Sequence, residues 1–126
     1  MLPKNWRIVK DKEIKQVYFS KYKIKTQYAL INLKHTTTPN FQLLVVVSKK
    51  IYKKANKRNR IKRKIHAIFS DLKNNSRLPT NLACIIQIKN KDIIFQAEEN
   101  IREDILPAIS STYQKIVNFT TKKMKN

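Results

Sequence analysis

Between residues 49 and 64 the chain carries ten cationic side chains and no acidic one. Three of its six arginines, Arg58, Arg60 and Arg63, fall in that stretch, with Asn59 between the first two. A guanidinium is a planar fork that matches phosphate oxygens, and an asparagine amide adds a neutral donor and acceptor. If a helix starts here, its unpaired backbone N–H groups and positive dipole end point at the same place. The chemistry on offer is the gripping of a polyanion. A solvated helix face would explain the charge alone, but not the clustering of arginine at one turn. Lys49, Lys50, Lys53 and Lys54 extend the patch upstream, and Lys62 lies within it.

Bond-breaking chemistry has weaker candidates. His35 and His66 have no carboxylate or cysteine at a spacing that suggests general acid–base work. Five of the eight carboxylates lie between Asp92 and Asp104, where capping of a helix start explains most of them; a two-metal nuclease site built from them is conceivable and has no further support. There is no glycine, which removes glycine-dependent phosphate loops, dinucleotide fingerprints and nucleophile elbows. The single cysteine, Cys84, sits in an apolar run and reads as a small buried hydrophobe. Any reactive groups are expected to come from a partner.

That partner should be anionic. Of 28 Lys and Arg and 8 Asp and Glu in 126 residues, residues 1–91 hold 23 and 3, and the remainder is neutral. A field so one-sided points to nucleic acid or to an anionic membrane surface. No apolar stretch approaches the roughly 18 to 20 residues of a membrane span, and the first residues lack a signal peptide's apolar block, so the cytoplasm is the expected compartment. A coding bias towards Lys, Asn and Ile also raises the lysine count, so position carries more information than number.

The elements that must hold the patch follow from periodicity. Residues 11–20 read as a helix capped by Asp11, with Ile14, Val17 and Tyr18 as a narrow apolar stripe. Strands are expected at 28–33 and 41–48, joined by a loop containing Pro39 and paired antiparallel. From Asn56 onward, Ile61, Ile65, Ile68, Phe69 and Leu72 mark a helix that buries one side; Asn59, Arg60, Arg63 and Ala67 fall opposite. It should end near residues 74–76, before Pro79. Leu82–Ile88 reads as a strand covered on both faces, as does Leu43–Val47, and the two should run parallel around the intervening helix. Ile101, Ile105, Ile109, Tyr113 and Ile116 mark a last helix, with a kink or restart expected at Pro107. The expected fold is a single α/β (α+β) two-layer sandwich over residues 1–119, with about four strands and three helices, followed by a flexible basic tail at 120–126. Tyr18, Phe19, Tyr22 and Tyr28, set among lysines, would suit a single strand whose bases stack, although aromatics at such places also serve as core.

At Arg58-Asn59-Arg60-Ile61-Lys62-Arg63, preceded by Ser48-Lys49-Lys50 and Ala55 and followed by Ile65 and Phe69, the sequence resembles the protein component of bacterial ribonuclease P, and the likeness extends along nearly the whole chain. The resemblance implies a mixed four-stranded sheet with a left-handed strand-helix-strand crossover, an exception to the usual hand. It implies partnership with a catalytic RNA that removes the 5′ leader of precursor tRNA, using Mg2+ held chiefly by the RNA, with no obligate protein partner. By motif position, Arg58, Asn59, Arg60, Lys62 and Arg63 would contact that RNA, aided by Lys49, Lys50, Lys53 and Lys54. A cleft between the first helix and the sheet would receive the leader, which nominates Tyr18, Ile14, Tyr28 and Val45. The sequence departs from the family where Ile14 replaces a common aromatic and His66 a common arginine. A ribosomal or other structural RNA-binding protein, and a stand-alone nuclease, are the alternative readings.

Overall fold

The computed structural model describes residues 6–8, 10–36, 40–74 and 81–125, with side chains as far as 118. The expected loop at Pro39, the residues after Asn74 with Pro79, and the side chains of the expected tail lie outside that set. Helix α1 spans Asp11–Tyr18, strands β1, β2 and β3 span Tyr22–Lys25, Ala29–His35 and Phe41–Val46, and helix α2 spans Ala55–Asn74. Strand β4 spans Leu82–Ile88, a short 3-10 helix Lys91–Phe95, and helix α3 Glu98–Lys125.

The sheet order is β1-β2-β4-β3, with β1/β2 and β2/β4 antiparallel and β3/β4 parallel. The parallel β3/β4 pair around α2 is therefore as expected, but β2 and β3 do not pair. β4 lies between them, because its run of Leu82, Ala83, Cys84, Ile85 and Ile86 is buried throughout and needs a neighbour on each side as well as cover on each face. β3 is only half such a strand. Phe41, Leu43 and Val45 are buried while Gln42, Leu44 and Val46 are half-exposed. β1, unforeseen as a strand, alternates half-buried Tyr22 and Ile24 with exposed Lys23 and Lys25.

One sheet face carries the main core. Ile31, Leu33, Leu43, Val45, Cys84 and Ile86 pack there against Ile61, Ile65, Ile68, Phe69 and Leu72 of α2 and against Ile101, Ile105, Ile109 and Ile116 of α3. Phe69 stacks on Phe41 at 5.4 Å. Burial of these side chains at about 25 cal/mol per Å2 is the main force that fixes α2 in place. In α3 the buried position is Thr112, and Tyr113 is half-exposed, which restores a true helical period to the stripe. Pro107 is exposed and α3 runs through it unbroken, so no restart occurs. α3 continues to Lys125, into the segment expected as a tail.

The opposite face is covered in part by α1, where Ile8, Val17, Ala83 and Ile85 form a small second cluster edged by Ile14, Tyr18, Leu44 and Val46. Asp11 is not the cap of α1. Lys10 occupies that position without a side-chain bond, and Asp11 and Glu13 lie in the first turn, where carboxylates still favour the dipole. Asn32, buried in β2, donates from Nδ2 to the Tyr18 carbonyl at 2.9 Å and so ties the end of α1 to the sheet. The β1-β2 turn is held without glycine. Thr26 N–H donates to Ala29 O at 2.8 Å, and Asp104 of α3 accepts the N–H groups of Gln27 and Tyr28 at 3.0 and 3.2 Å. Among the described residues only Asn81 has a positive φ, 58°, a conformation asparagine tolerates better than most residues.

Candidate nucleic-acid interface

The patch is assembled by the turn that links β3 to α2. Ile51 and Tyr52 N–H groups both donate to Ser48 O, at 3.1 and 3.2 Å, folding residues 48–52 back on themselves and leaving Lys49 and Lys50 exposed. The Tyr52 hydroxyl reaches the Lys91 carbonyl; burial, then the nearby Asp92 charge, raise its pKa above the usual phenol range. Lys53 and Lys54 are exposed at the entry to α2. Along α2 the isoleucines turn inward, and Asn59, Arg60 and Arg63 stand outward on the exposed side. Eight of the nine nominated cationic and amide residues thus stand outward along the turn and the first turns of α2 as a ridge, in which Lys62 is half-buried.

Arg58 is different. Its Nη1 donates to the carbonyls of Tyr52 and Lys53 at 2.9 and 2.8 Å, so part of this guanidinium closes the turn that starts the helix. Lys64 likewise leaves the ridge, its ammonium bonding to the carbonyls of Ile94 and Gln96 at 2.9 and 3.1 Å. These two cations position the ridge.

Asn59, Lys62, Arg63 and His66 line a shallow hollow of about 290 Å3 on the exposed side of α2. His66 is half-buried, and its enclosed Nδ1 meets no donor or acceptor. Burial first, and then the Arg7 and Lys62 cations, hold the imidazole below its ordinary range. The sequence pattern does not reveal this, because His66 owes its surroundings partly to Arg7, far away in the chain.

The nominated cleft residues divide between the two faces of the sheet. Ile14 and Tyr18 line the α1 side, and burial raises the Tyr18 pKa above the phenol range. Tyr28 and Val45, 6% and 4% exposed, belong to the main core on the other face. A strand alternates faces, so its neighbours Leu44 and Val46 take the place assigned to Val45. On the α1 side, register sets Lys25, Leu30, Gln87 and Val46 in a row across all four strands; Leu30, Gln87 and Val46 are each half-exposed. Phe19, 83% exposed at the end of α1, is an aromatic face that the apolar stripe correctly left outside the core.

Other chemistry is sparse. Among the described residues no three His, Cys, Asp or Glu side chains gather as a metal site. Asp104 is occupied by the turn amides, Asp92 N–H bonds to the Asn90 side chain at the start of the 3-10 helix, and Glu98 and Glu99 lie in the first turn of α3. Cys84 is fully buried and its thiol pKa is pushed up by that burial. His35 is exposed and shares a hollow of about 240 Å3 with Glu13, Gln16 and Lys34. Among the described residues no helix is long and apolar enough to cross a membrane.

Fold and site together define a small, strongly basic α+β protein whose cationic helix face is held outward by a packed sheet. A profile described as Ribonuclease P matches residues 2–118, and the chain belongs to the bacterial ribonuclease P protein family. Among solved structures, the RNase P protein of Staphylococcus aureus is similar, with a TM-score of 0.69, 18% identity and coverage of 85% of this chain and 94% of that one. The RNase P protein of Thermotoga maritima gives 0.68 at 19% identity, covering 80% and 92%. A mutant of the S. aureus protein described as defective in mRNA degradation gives 0.72 at 19% identity, covering 87% and 90%. No curated protein matches the sequence.

Proposed function

We propose that this chain is the ribonuclease P subunit that docks on the catalytic RNA through the α2 ridge and holds the 5′ leader of precursor tRNA against the α1 side of the sheet. The observation that carries the reading is the outward ridge of Lys49, Lys50, Lys53, Lys54, Asn59, Arg60, Lys62 and Arg63, with no carboxylate between residues 49 and 64. The ridge neutralises phosphates of the catalytic RNA, which releases counterions and lessens its repulsion of the precursor tRNA. The leader surface consists of Ile14, Tyr18 and Phe19 on α1 with Leu30, Val46 and Gln87 on the sheet; it adjoins the lysine turn, since Val46 lies two residues before Ser48. Bases stack on aromatic faces there while lysines follow the backbone. Cleavage itself falls to the RNA and the Mg2+ it holds; of the protein's carboxylates, Asp104 is bonded to the Gln27 and Tyr28 amides and Asp71 to Arg102. The working compartment on this reading is the cytoplasm.

Reconstitution tests it. Precursor tRNA is incubated at low magnesium with the protein, with the cognate catalytic RNA, and with both. Cleavage to the mature 5′ end is expected only in the last mixture. The mRNA degradation named for the S. aureus mutant makes a protein-only arm with a long single-stranded RNA informative as well. Cleavage of precursor tRNA by the protein alone would replace this reading with that of a nuclease, and no rescue of the catalytic RNA would leave a structural RNA-binding protein.

A further inference from the structure

The sheet has a second basic margin, at the edge opposite the α2 side. Among the described residues β1 is an edge strand, bonded only to β2. Thr26 N–H bonds to Ala29 O, and bonded pairs alternate along an antiparallel ladder, so the main-chain groups of Lys23 and Lys25 turn away from β2. α3 passes beside this edge and presents Ala108, Ser111, Thr112 and Lys115 to it. Together with Lys21, Tyr22, Lys23 and Ile24 they line a groove of about 330 Å3.

The helix side of that groove is unusual. Positions 108, 111, 112 and 115 follow the i, i+3, i+4, i+7 pattern of a buried stripe, yet they hold a small residue, two hydroxyls and a lysine instead of bulky apolar groups. The space is consequently left open. Among the described residues three lysines and no carboxylate line it, the Lys21 ammonium lying over the Tyr22 ring at 5.3 Å; the next acid along α3, Asp104, is bonded to the Gln27 and Tyr28 amides. Lysines on an edge strand also deter strand-to-strand aggregation, but that role requires neither Lys115 nor the hydroxyls opposite.

We infer that the β1-α3 groove binds the ribose-phosphate backbone of a further RNA segment, apart from those on the ridge and on the α1 side of the sheet. Three strand spacings of about 4.8 Å separate β1 from β3, with α2 beyond, so the groove and the ridge lie at opposite margins of the sheet. Ammonium groups and hydroxyls recognise backbone without reading bases. The inference relies on the RNA-partner reading above for the choice of probes; the segment belongs either to the catalytic RNA or to precursor tRNA.

The test compares the wild type, a Lys21→Gln/Lys23→Gln/Lys115→Gln variant, a Ser111→Glu variant and an Arg60→Ala/Arg63→Ala variant. One arm titrates each protein against cognate catalytic RNA over a range of salt; the other titrates precursor tRNA against each assembled holoenzyme. Each groove variant should lose on the order of tenfold in affinity in one arm, and the triple variant should there flatten the log–log salt dependence by about two units. The arm affected names the RNA. Ser111→Glu, which leaves the lysines in place, and thermal melting of every variant separate lost binding from lost folding. Unchanged affinity of either groove variant in both arms overturns the inference. Failure of the ridge reading would show separately, as unaltered catalytic-RNA binding by the Arg60/Arg63 variant.

Discussion

Arg58, Arg60 and Arg63 are one residue type within a single stretch of helix, and the fold gives them two occupations. Arg60 and Arg63 stand exposed, whereas Arg58 spends Nη1 on two carbonyls of the preceding turn. Arg58→Ala is therefore expected to lower stability by about 1–2 kcal/mol, the size of a lost charge-assisted bond and its stranded acceptors, which denaturant unfolding would measure; a loss confined to RNA binding would reassign it to the ridge. The helical period alone placed Asn59, Arg60 and Arg63 outside. It said nothing of Arg58, whose role depends on how residues 48–54 fold. His66 was equally unreadable, because the Arg7 charge and the burial that depress it arise from tertiary packing. With its pKa lowered in the native state, His66 binds a proton less readily there than in the unfolded chain, so stability is fullest above about pH 6.5 and declines as pH falls towards the depressed native value. A phosphate over the hollow shared with Asn59, Lys62 and Arg63 acts the other way and raises the pKa. Between pH 7.5 and 5.5 the free protein should lose thermal stability and gain RNA affinity, and His66→Gln should weaken both trends; identical pH profiles for the two proteins would contradict this.

At the scale of elements, the ridge works because α2 is pinned by its isoleucines and by the β3-α2-β4 crossover, and both features were legible in the spacing of apolar residues. The errors came where chain proximity stood in for pairing. β2 and β3 are consecutive, but β4 has the doubly buried sequence and takes the place between them. β1 escaped notice because four residues alternating Tyr, Lys, Ile, Lys are too short a pattern to separate from a loop. Assigning Val45 to the α1 side failed by one residue of strand alternation. The α1 side as corrected makes a direct prediction: Tyr18→Ala should weaken holoenzyme binding of precursor tRNA by about 1–3 kcal/mol if Tyr18 stacks a leader base, with leaderless tRNA unaffected; equal losses for both would make Tyr18 core only. Asp104→Ala probes the scaffold, since it strands the Gln27 and Tyr28 amides. A fall of about 1–2 kcal/mol in unfolding free energy is expected, and an unchanged value would mean water replaces the carboxylate at no cost.

For the whole molecule, the decisive property is how +20 of net charge is distributed. Five of the eight acids lie around the 3-10 helix and the first turns of α3; there Glu98 and Glu99 favour the helix dipole and Asp104 clasps the β1-β2 turn, while Asp71 of α2 pairs with Arg102 of α3 at 2.7 Å. Among the described residues no ion pair compensates the ridge. Charge of this kind is visible in the sequence as a total, but only the packed core converts it into a surface, by turning five apolar side chains of α2 inward. The central claim is that this surface grips catalytic RNA by its phosphates. The most direct test is the slope of log affinity against log salt for that RNA, measured for the wild type and for Arg60→Ala/Arg63→Ala. A slope shallower by about one to two units is the expected result, since two guanidinium groups no longer displace counterions from the RNA. An identical slope in both proteins would contradict it.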